Sequence, residues 1–223
     1  MCLIKIDKSN NVISINSVFN IYGTYANEHY ANCIKNEIET MWNAPKGIVQ
    51  LYNQSFNVCF KVDVVIYDLI SPTSILENDN FLNKYIRIEE VSKMQVSFVD
   101  GINSSTGYFT INNLEQGTTV AHEFGHMLGL KHPENLDYRG KGRPHIMYPR
   151  GTLVDAEFQY DANAIAGQPG GTVNPTVRVV TQENIDDLKL DNIIEQGQAQ
   201  AHIGRISTNY HDIFIKPAPT QLA

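Results

Sequence analysis

Along residues 12–22, VISINSVFNIY, β-branched and aromatic types dominate, the composition of a strand. The period then changes. From 24 to 43, Tyr30, Cys33, Ile34, Ile38, Met41 and Trp42 recur at helical spacing, with Thr24 placed to cap the start and Pro45 just past the end. Val58, Phe60, Val62, Val64 and Ile66 alternate strictly with other residues, the clearest strand pattern in the chain. MQVSFVD (94–100) and GYFTINN (107–113) read as further strands, joined by the turn-rich GINSSTG. A helical pattern follows over 118–130, opened by Thr118 or Thr119. Gly, Pro and Asn then accumulate, most densely in GQPGGTVNP (167–175), which reads as loop. A last helix is expected from Gln182 to Ile194, capped by Thr181, with Ile185, Leu188 and Ile193 inward. The closing KPAPTQLA reads as extended or disordered, and no internal repeat is present. Strands with one helix, a second helix, and an irregular stretch closed by a third make an α+β pattern.

Composition narrows this picture only a little. With 223 residues, 42% hydrophobic and 18% charged, the chain suits one globular domain, in two lobes at most. A net charge of -7 argues against nucleic acid or an anionic membrane as the main partner. No apolar run approaches a transmembrane span. Cys2, Cys33 and Cys59 are widely spaced and odd in number, which makes no disulfide framework and no C-x-x-C metal pair and leaves open one disulfide plus one free thiol. The first residues, MCLIKIDKSNNVIS, lack the apolar core of a secretory signal. The expectation is export by a signal-independent route or delivery as an effector, with a cytoplasmic location as the alternative. Nothing in the sequence sets an oligomeric state.

Candidate chemistry lies in AHEFGHMLGLKH, residues 121–132. Four helical residues turn through about 400°, so His122 and His126 share one face within about 40° and can reach one cation. Glu123 is rotated about 60° from His126, beside such a metal and free to act as base toward its water. On a continuing helix His132 would lie about 15 Å further along the axis than His122, too far to be a ligand of the same ion. The chain must reverse, and Gly129 is the residue that allows it, while Pro133 keeps the helix from resuming. Three histidines leave a fourth position open, as in catalytic rather than structural zinc.

With these spacings the chain resembles the metzincin clan of zinc endopeptidases, whose signature H-E-x-x-H-x-x-G-x-x-H is met in full. The resemblance implies one catalytic Zn2+ held by His122, His126 and His132, with Glu123 as the base in peptide hydrolysis and a polypeptide as substrate. It implies a metzincin fold in a single catalytic domain: an N-terminal part (1–131) of sheet and helices ending in the zinc helix, and a smaller, irregular C-terminal part (132–223) with one final helix. HIMYPRG supplies the clan's methionine turn, with Met147 beneath the zinc and Tyr148 and Pro149 along the wall of a substrate pocket. Thr118, four residues before the first ligand, is small and implies an open pocket for a medium or large apolar side chain. GYFTINN, with Tyr108, is implied to be the edge strand that binds the substrate backbone by strand addition. IMYP and VTQENIDDL look like matrixins, whereas His132–Pro133 looks like serralysins; glycine-rich calcium repeats are lacking, so Ca2+ is not indicated. The other class to weigh is a silent zinc-containing module that grips polypeptides without cutting, against which the retained Glu123 speaks. His29, His145, His202 and His211 carry no motif and read as surface or supporting residues.

Overall fold

The computed structural model describes residues 1–115 and 117–215; KPAPTQLA lies outside the described residues. In chain order the elements are β1 (Cys2–Asp7), β2 (Val12–Tyr22), α1 (Glu28–Asn43), β3 (Ile48–Leu51), β4 (Gln54–Tyr67), α2 (Pro72–Leu76), β5 (Asn83–Glu89), β6 (Phe98–Val99), β7 (Thr106–Thr110), α3 (Ile111–Glu115), α4 (Thr119–Met127), α5 (Gln182–Asp186), α6 (Leu190–Ile193) and β8 (Gln200–Ile203). Short 3-10 turns at Ala156–Phe158 and Pro175–Val177 punctuate the long segment between α4 and α5. The result is a mixed α+β architecture, and no described helix is long and apolar enough to cross a membrane.

The spine is β2. Along one edge it pairs in parallel with β4 from Val12 to Tyr22. Its other edge is shared: β1 runs antiparallel beside residues 12–16, and β5 runs parallel beside 18–22. The sheet continues outward as β3 on β4, β7 parallel on β5 and β6 antiparallel on β7, while β8 pairs with β1. On one face the core collects Phe19, Ile21, Phe60, Ile86, Ile88 and Phe109 against Ile34, Ile38 and Trp42 of α1 and Val120, Ala121, Phe124 and Met127 of α4. Those four α4 residues recur at helical spacing, so burying them turns His122, Glu123 and His126 away from the sheet. Phe124 is the anchor, packed on Phe19, Trp42 and Phe60 at ring separations of 6.1, 5.8 and 6.3 Å.

The opposite face is covered by the C-terminal segment. Tyr210 stacks on Tyr22, His211 pairs with Asp100 at 2.8 Å, and the Ser207 hydroxyl accepts from the Ser105 amide. This cover explains why β5 escaped the sequence reading: Arg87 and Glu89 look like a solvent face but are buried, paired at 2.6 Å, while Lys84 is buried on the core side, donating to the Met1 carbonyl and lying over the Phe124 ring.

Several expected boundaries shift for local reasons. The first helix is capped by Asn27, whose side chain accepts from the Tyr30 amide, while Thr24 instead donates its amide to Glu89. Of 94–100 only Phe98–Val99 is strand, and GYFTINN is strand only to Thr110, where α3 begins. The helix expected over 118–130 ends at Met127. The expected helix over 182–194 is two short ones, broken where Lys189 takes a left-handed conformation so that Leu188, Leu190 and Ile194 can all be buried.

The start of α4 is held from outside. Thr118 makes no capping hydrogen bond of its own; Glu37 of α1 accepts from the Val120 and Ala121 amides, the latter at 2.8 Å. Trp42 adds a bond from its indole N–H to the Ala121 carbonyl. Burial raises the Glu37 carboxyl to about 7, outweighing those amides and the Arg178 charge. Glu37→Ala should lower stability by about 1 kcal/mol, as loss of an N-cap does, read from the denaturant midpoint at unchanged slope. The raised value also fixes a sign. Above its ordinary value near 4.5 and up to about 7 the folded chain keeps a proton that the unfolded chain releases. Stability should therefore fall as pH rises through that window, and Glu37→Gln should flatten the fall.

Candidate metal centre

Helix α4 ends in a reversal with two specific bonds. The Leu130 amide reaches back to the Gly125 carbonyl and the Gly129 amide to the His126 carbonyl, the paired bonds of a Schellman motif. Gly129 sits at φ +105°, and a Cβ there would lie 2.5 Å from the Asn103 side-chain oxygen, so conformation and space both demand glycine. The reversal does two things at once. It sends His132 back toward the helix, and it presents the Leu130 carbonyl to His126, whose Nδ1 lies 2.8 Å away.

A second turn does the same for the first histidine. The Ile146 carbonyl lies 2.6 Å from Nδ1 of His122. Its neighbour Met147 is buried, and its sulfur packs where a Cβ on Gly125 would be, with Trp42 behind. This is why the residue between Phe124 and His126 is glycine, a point that spacing alone did not reveal. His145, also buried, contacts Asn184 through Nδ1 and packs on Tyr138 and Tyr148. It stands in the aromatic bed of the turn.

With both Nδ1 atoms donating to carbonyls, the Nε2 atoms of His122 and His126 are left as lone pairs, each 3.0 Å from Nε2 of His132. One ring proton on His132 can satisfy one of these contacts and not both. A cation between the three is the arrangement that suits them: tetrahedral zinc ligands at about 2.0–2.1 Å leave nitrogens about 3.3 Å apart. Charge states agree. Burial, then the Arg178 charge, holds His122 well below the usual imidazole value; burial brings His126 down to about 4 and lowers the more exposed His132. Neutral imidazoles are what a metal needs. The trio can bind a metal ion.

Glu123 is buried beside them, and burial raises it to about 7 against the pull of the Val99 amide and the Arg178 charge. Its Oε2 accepts from Val99 N at 3.2 Å. Asp100 donates its amide to Thr106 of β7, so the preceding amide, Val99, points away from the sheet. The outer edge of the sheet therefore faces Glu123.

That edge is β6, which corrects the reading of GYFTINN. Strand β7 is interior, paired with β5 on one side and β6 on the other. Tyr108 is buried, donating its hydroxyl to the Val91 carbonyl and stacking on Phe98. Thr118 is likewise buried, donating its hydroxyl to the Pro175 carbonyl and accepting from Arg178, so its side chain faces the 175–178 segment. Tyr148 is buried and Pro149 half-buried at the end of the turn.

Arg178 was not legible as a site residue. It is buried, and its guanidinium donates to Thr118 Oγ1 and the Tyr148 carbonyl, each at 3.0 Å, tying the start of α4 to the turn that orients His122. It also lies 3.0 Å from Nδ1 of His122, but a ring nitrogen donating to Ile146 cannot accept there, so the carbonyl is its partner.

Two outcomes follow from this geometry. His132→Ala should abolish stoichiometric zinc or cobalt binding in a competition titration, whereas His145→Ala should keep it; equal losses would mean the third ligand is misassigned. Gly129→Ala should cost roughly 1–3 kcal/mol of stability and weaken metal binding with it. Gly151→Ala, with open space around it, is the control that should change neither.

No protein-family model matches the chain, and no curated protein is recognisably similar to it. Among solved structures, one described as the structure of myroilysin aligns at 14% identity over 82% of this chain and 94% of that chain, with a TM-score of 0.35. At that score the likeness establishes neither a common fold nor a common chemistry.

Proposed function

We propose that the chain is a zinc-dependent endopeptidase of metzincin type, a single catalytic domain with the metal helix in its N-terminal part (1–131) and Met147 in its C-terminal part (132–223). The observation that carries the reading is a buried carboxylate, Glu123, on the helix that carries His122 and His126, whose neutral imidazoles converge with that of His132. A site that only held metal for structure has no use for that carboxylate, and a closed structural site would have a fourth protein ligand. The packing of Met147 under Gly125 supports reading it as the counterpart of the clan methionine.

His122, His126 and His132 would hold the zinc, which when bound supplies Lewis acidity to a carbonyl and lowers the pKa of a water. The chain's own residues do the rest. Glu123, raised toward neutral pH by burial, takes the proton of the attacking water and returns it to the leaving amine. Ile146 and Leu130 carbonyls keep the imidazoles aimed, so the ligands need no reorganisation. Arg178 keeps the start of α4 and the methionine turn in register. The polypeptide lies along β6, adding a strand to the edge that faces Glu123. In this state the Val99 amide is engaged by Glu123; an incoming backbone carbonyl would take that amide and leave the carboxylate free for the water.

Glu123→Gln should keep zinc content and fold and lower hydrolysis of a casein or quenched-peptide substrate by at least roughly 10²–10⁴-fold. Glutamine keeps volume and hydrogen bonding and removes only the basic site. Near wild-type turnover in that variant would place the base elsewhere. A zinc-loaded wild type that binds polypeptides and never cuts them would favour the silent module.

A further inference from the structure

A cavity of about 390 Å³ opens beside the first turn of α4, with Thr119, Asn112, Asn113, Arg150, Tyr160 and Asn174 on its walls. Thr119 and His122 are three residues apart on one helix and so are neighbours on its surface; the cavity begins one turn from the first metal ligand. Arg150 follows the turn that carries Met147 by three residues. A second cavity of about 650 Å³ shares Asn112, Asn113 and Arg150, so the arginine stands between the two.

The charge of the smaller cavity is unusual for this chain. Its walls hold one cation and no carboxylate, in a protein of net charge -7. Arg150 is exposed, and among the described residues it is in no ion pair. Around it are side-chain amides and hydroxyls, groups that donate to an anion without competing with it. A guanidinium offers a planar fork that matches a carboxylate with two parallel bonds.

Resting on the endopeptidase reading, we infer that this cavity is a subsite for an acidic side chain of the substrate next to the scissile bond, with Arg150 as the specificity-determining residue. This replaces the expectation of an open apolar pocket, which depended on Thr118. Thr119, not Thr118, lines the cavity, and apart from Pro175 and the Tyr160 ring its other walls are amides, a hydroxyl and the Arg150 guanidinium. A leucine there would gain nothing from Arg150, and a lysine would meet its charge; an aspartate or glutamate can pair with its guanidinium.

The test has two arms that share one peptide series, identical except for Asp, Glu, Asn, Leu or Lys at one position flanking the cleaved bond. In the first, zinc-loaded wild type should cleave the acidic members at least about tenfold faster in kcat/KM than the lysine member, a difference of about 1.4 kcal/mol. Arg150→Glu should invert that order. Lys8→Glu, which changes net charge equally at an exposed site far along the sequence, should keep it. In the second arm the same peptides bind zinc-loaded Glu123→Gln, read by fluorescence anisotropy, with and without Arg150→Glu. Cleavage without acidic preference, or an order that Arg150→Glu leaves unchanged, overturns the subsite while the endopeptidase reading stands. Acidic preference in binding that Arg150→Glu inverts, with no cleavage by wild type, keeps the subsite and defeats that reading. Neither binding preference nor cleavage defeats both.

Discussion

Two backbone carbonyls, Ile146 and Leu130, decide which nitrogen of His122 and His126 is left bare, and the rest of the site depends on that choice. An imidazole has two nitrogens and, when neutral, one proton; fixing the proton on Nδ1 commits Nε2 to be a lone pair. His132 brings a third Nε2 to 3.0 Å from both, and its one ring proton can satisfy only one of them, so a cation between the three suits the arrangement best. The scaffold must hold these nitrogens in place. It does so with rigid parts: a helix anchored through Phe124 in an aromatic cluster, a glycine-terminated reversal, and a turn whose methionine sulfur occupies the space left by Gly125.

The same economy of parts joins the sheet to the chemistry. Glu37 caps α4 from α1, and Arg178 ties the start of that helix to the turn that aims His122. Glu123 reaches the sheet edge through Val99, so the carboxylate senses both the metal side and the strand along which a polypeptide would dock. Burial is the common cause of its raised value and of the lowered histidines, and it works in opposite directions because one group is charged when deprotonated and the other when protonated.

Much of this was legible from residue spacing. The histidines and Gly129 follow from helical geometry and the need to reverse the chain, Met147 from the resemblance of HIMYPRG to the metzincin turn, and β2, α1 and β4 from their apolar and β-branched patterns. What stayed hidden shares a physical reason: it depends on contacts between segments far apart in the chain. Strand β5 looked half-exposed because its Arg87 and Glu89 are covered by residues some 120 positions later and its Lys84 is buried against Met1 and Phe124. Glu37 and Arg178 are ordinary charges in sequence, but in three dimensions one is a half-buried and the other a buried tie between segments. GYFTINN has the composition of a strand, but only the pairing of Phe98–Val99 onto it shows that it is not the edge. Short helices with one or two inward residues, such as α5 and α6, carry too little periodicity to place a break at Lys189.

The central claim is that one metal ion sits where the three Nε2 atoms converge. X-ray absorption on the zinc-loaded protein, paired with anomalous diffraction at the zinc edge, tests it most directly. The account predicts one anomalous peak at that point, with three nitrogen scatterers at about 2.0–2.1 Å and a light oxygen completing the shell. A peak elsewhere in the chain, or a sulfur scatterer near 2.3 Å indicating a cysteine ligand, would contradict it.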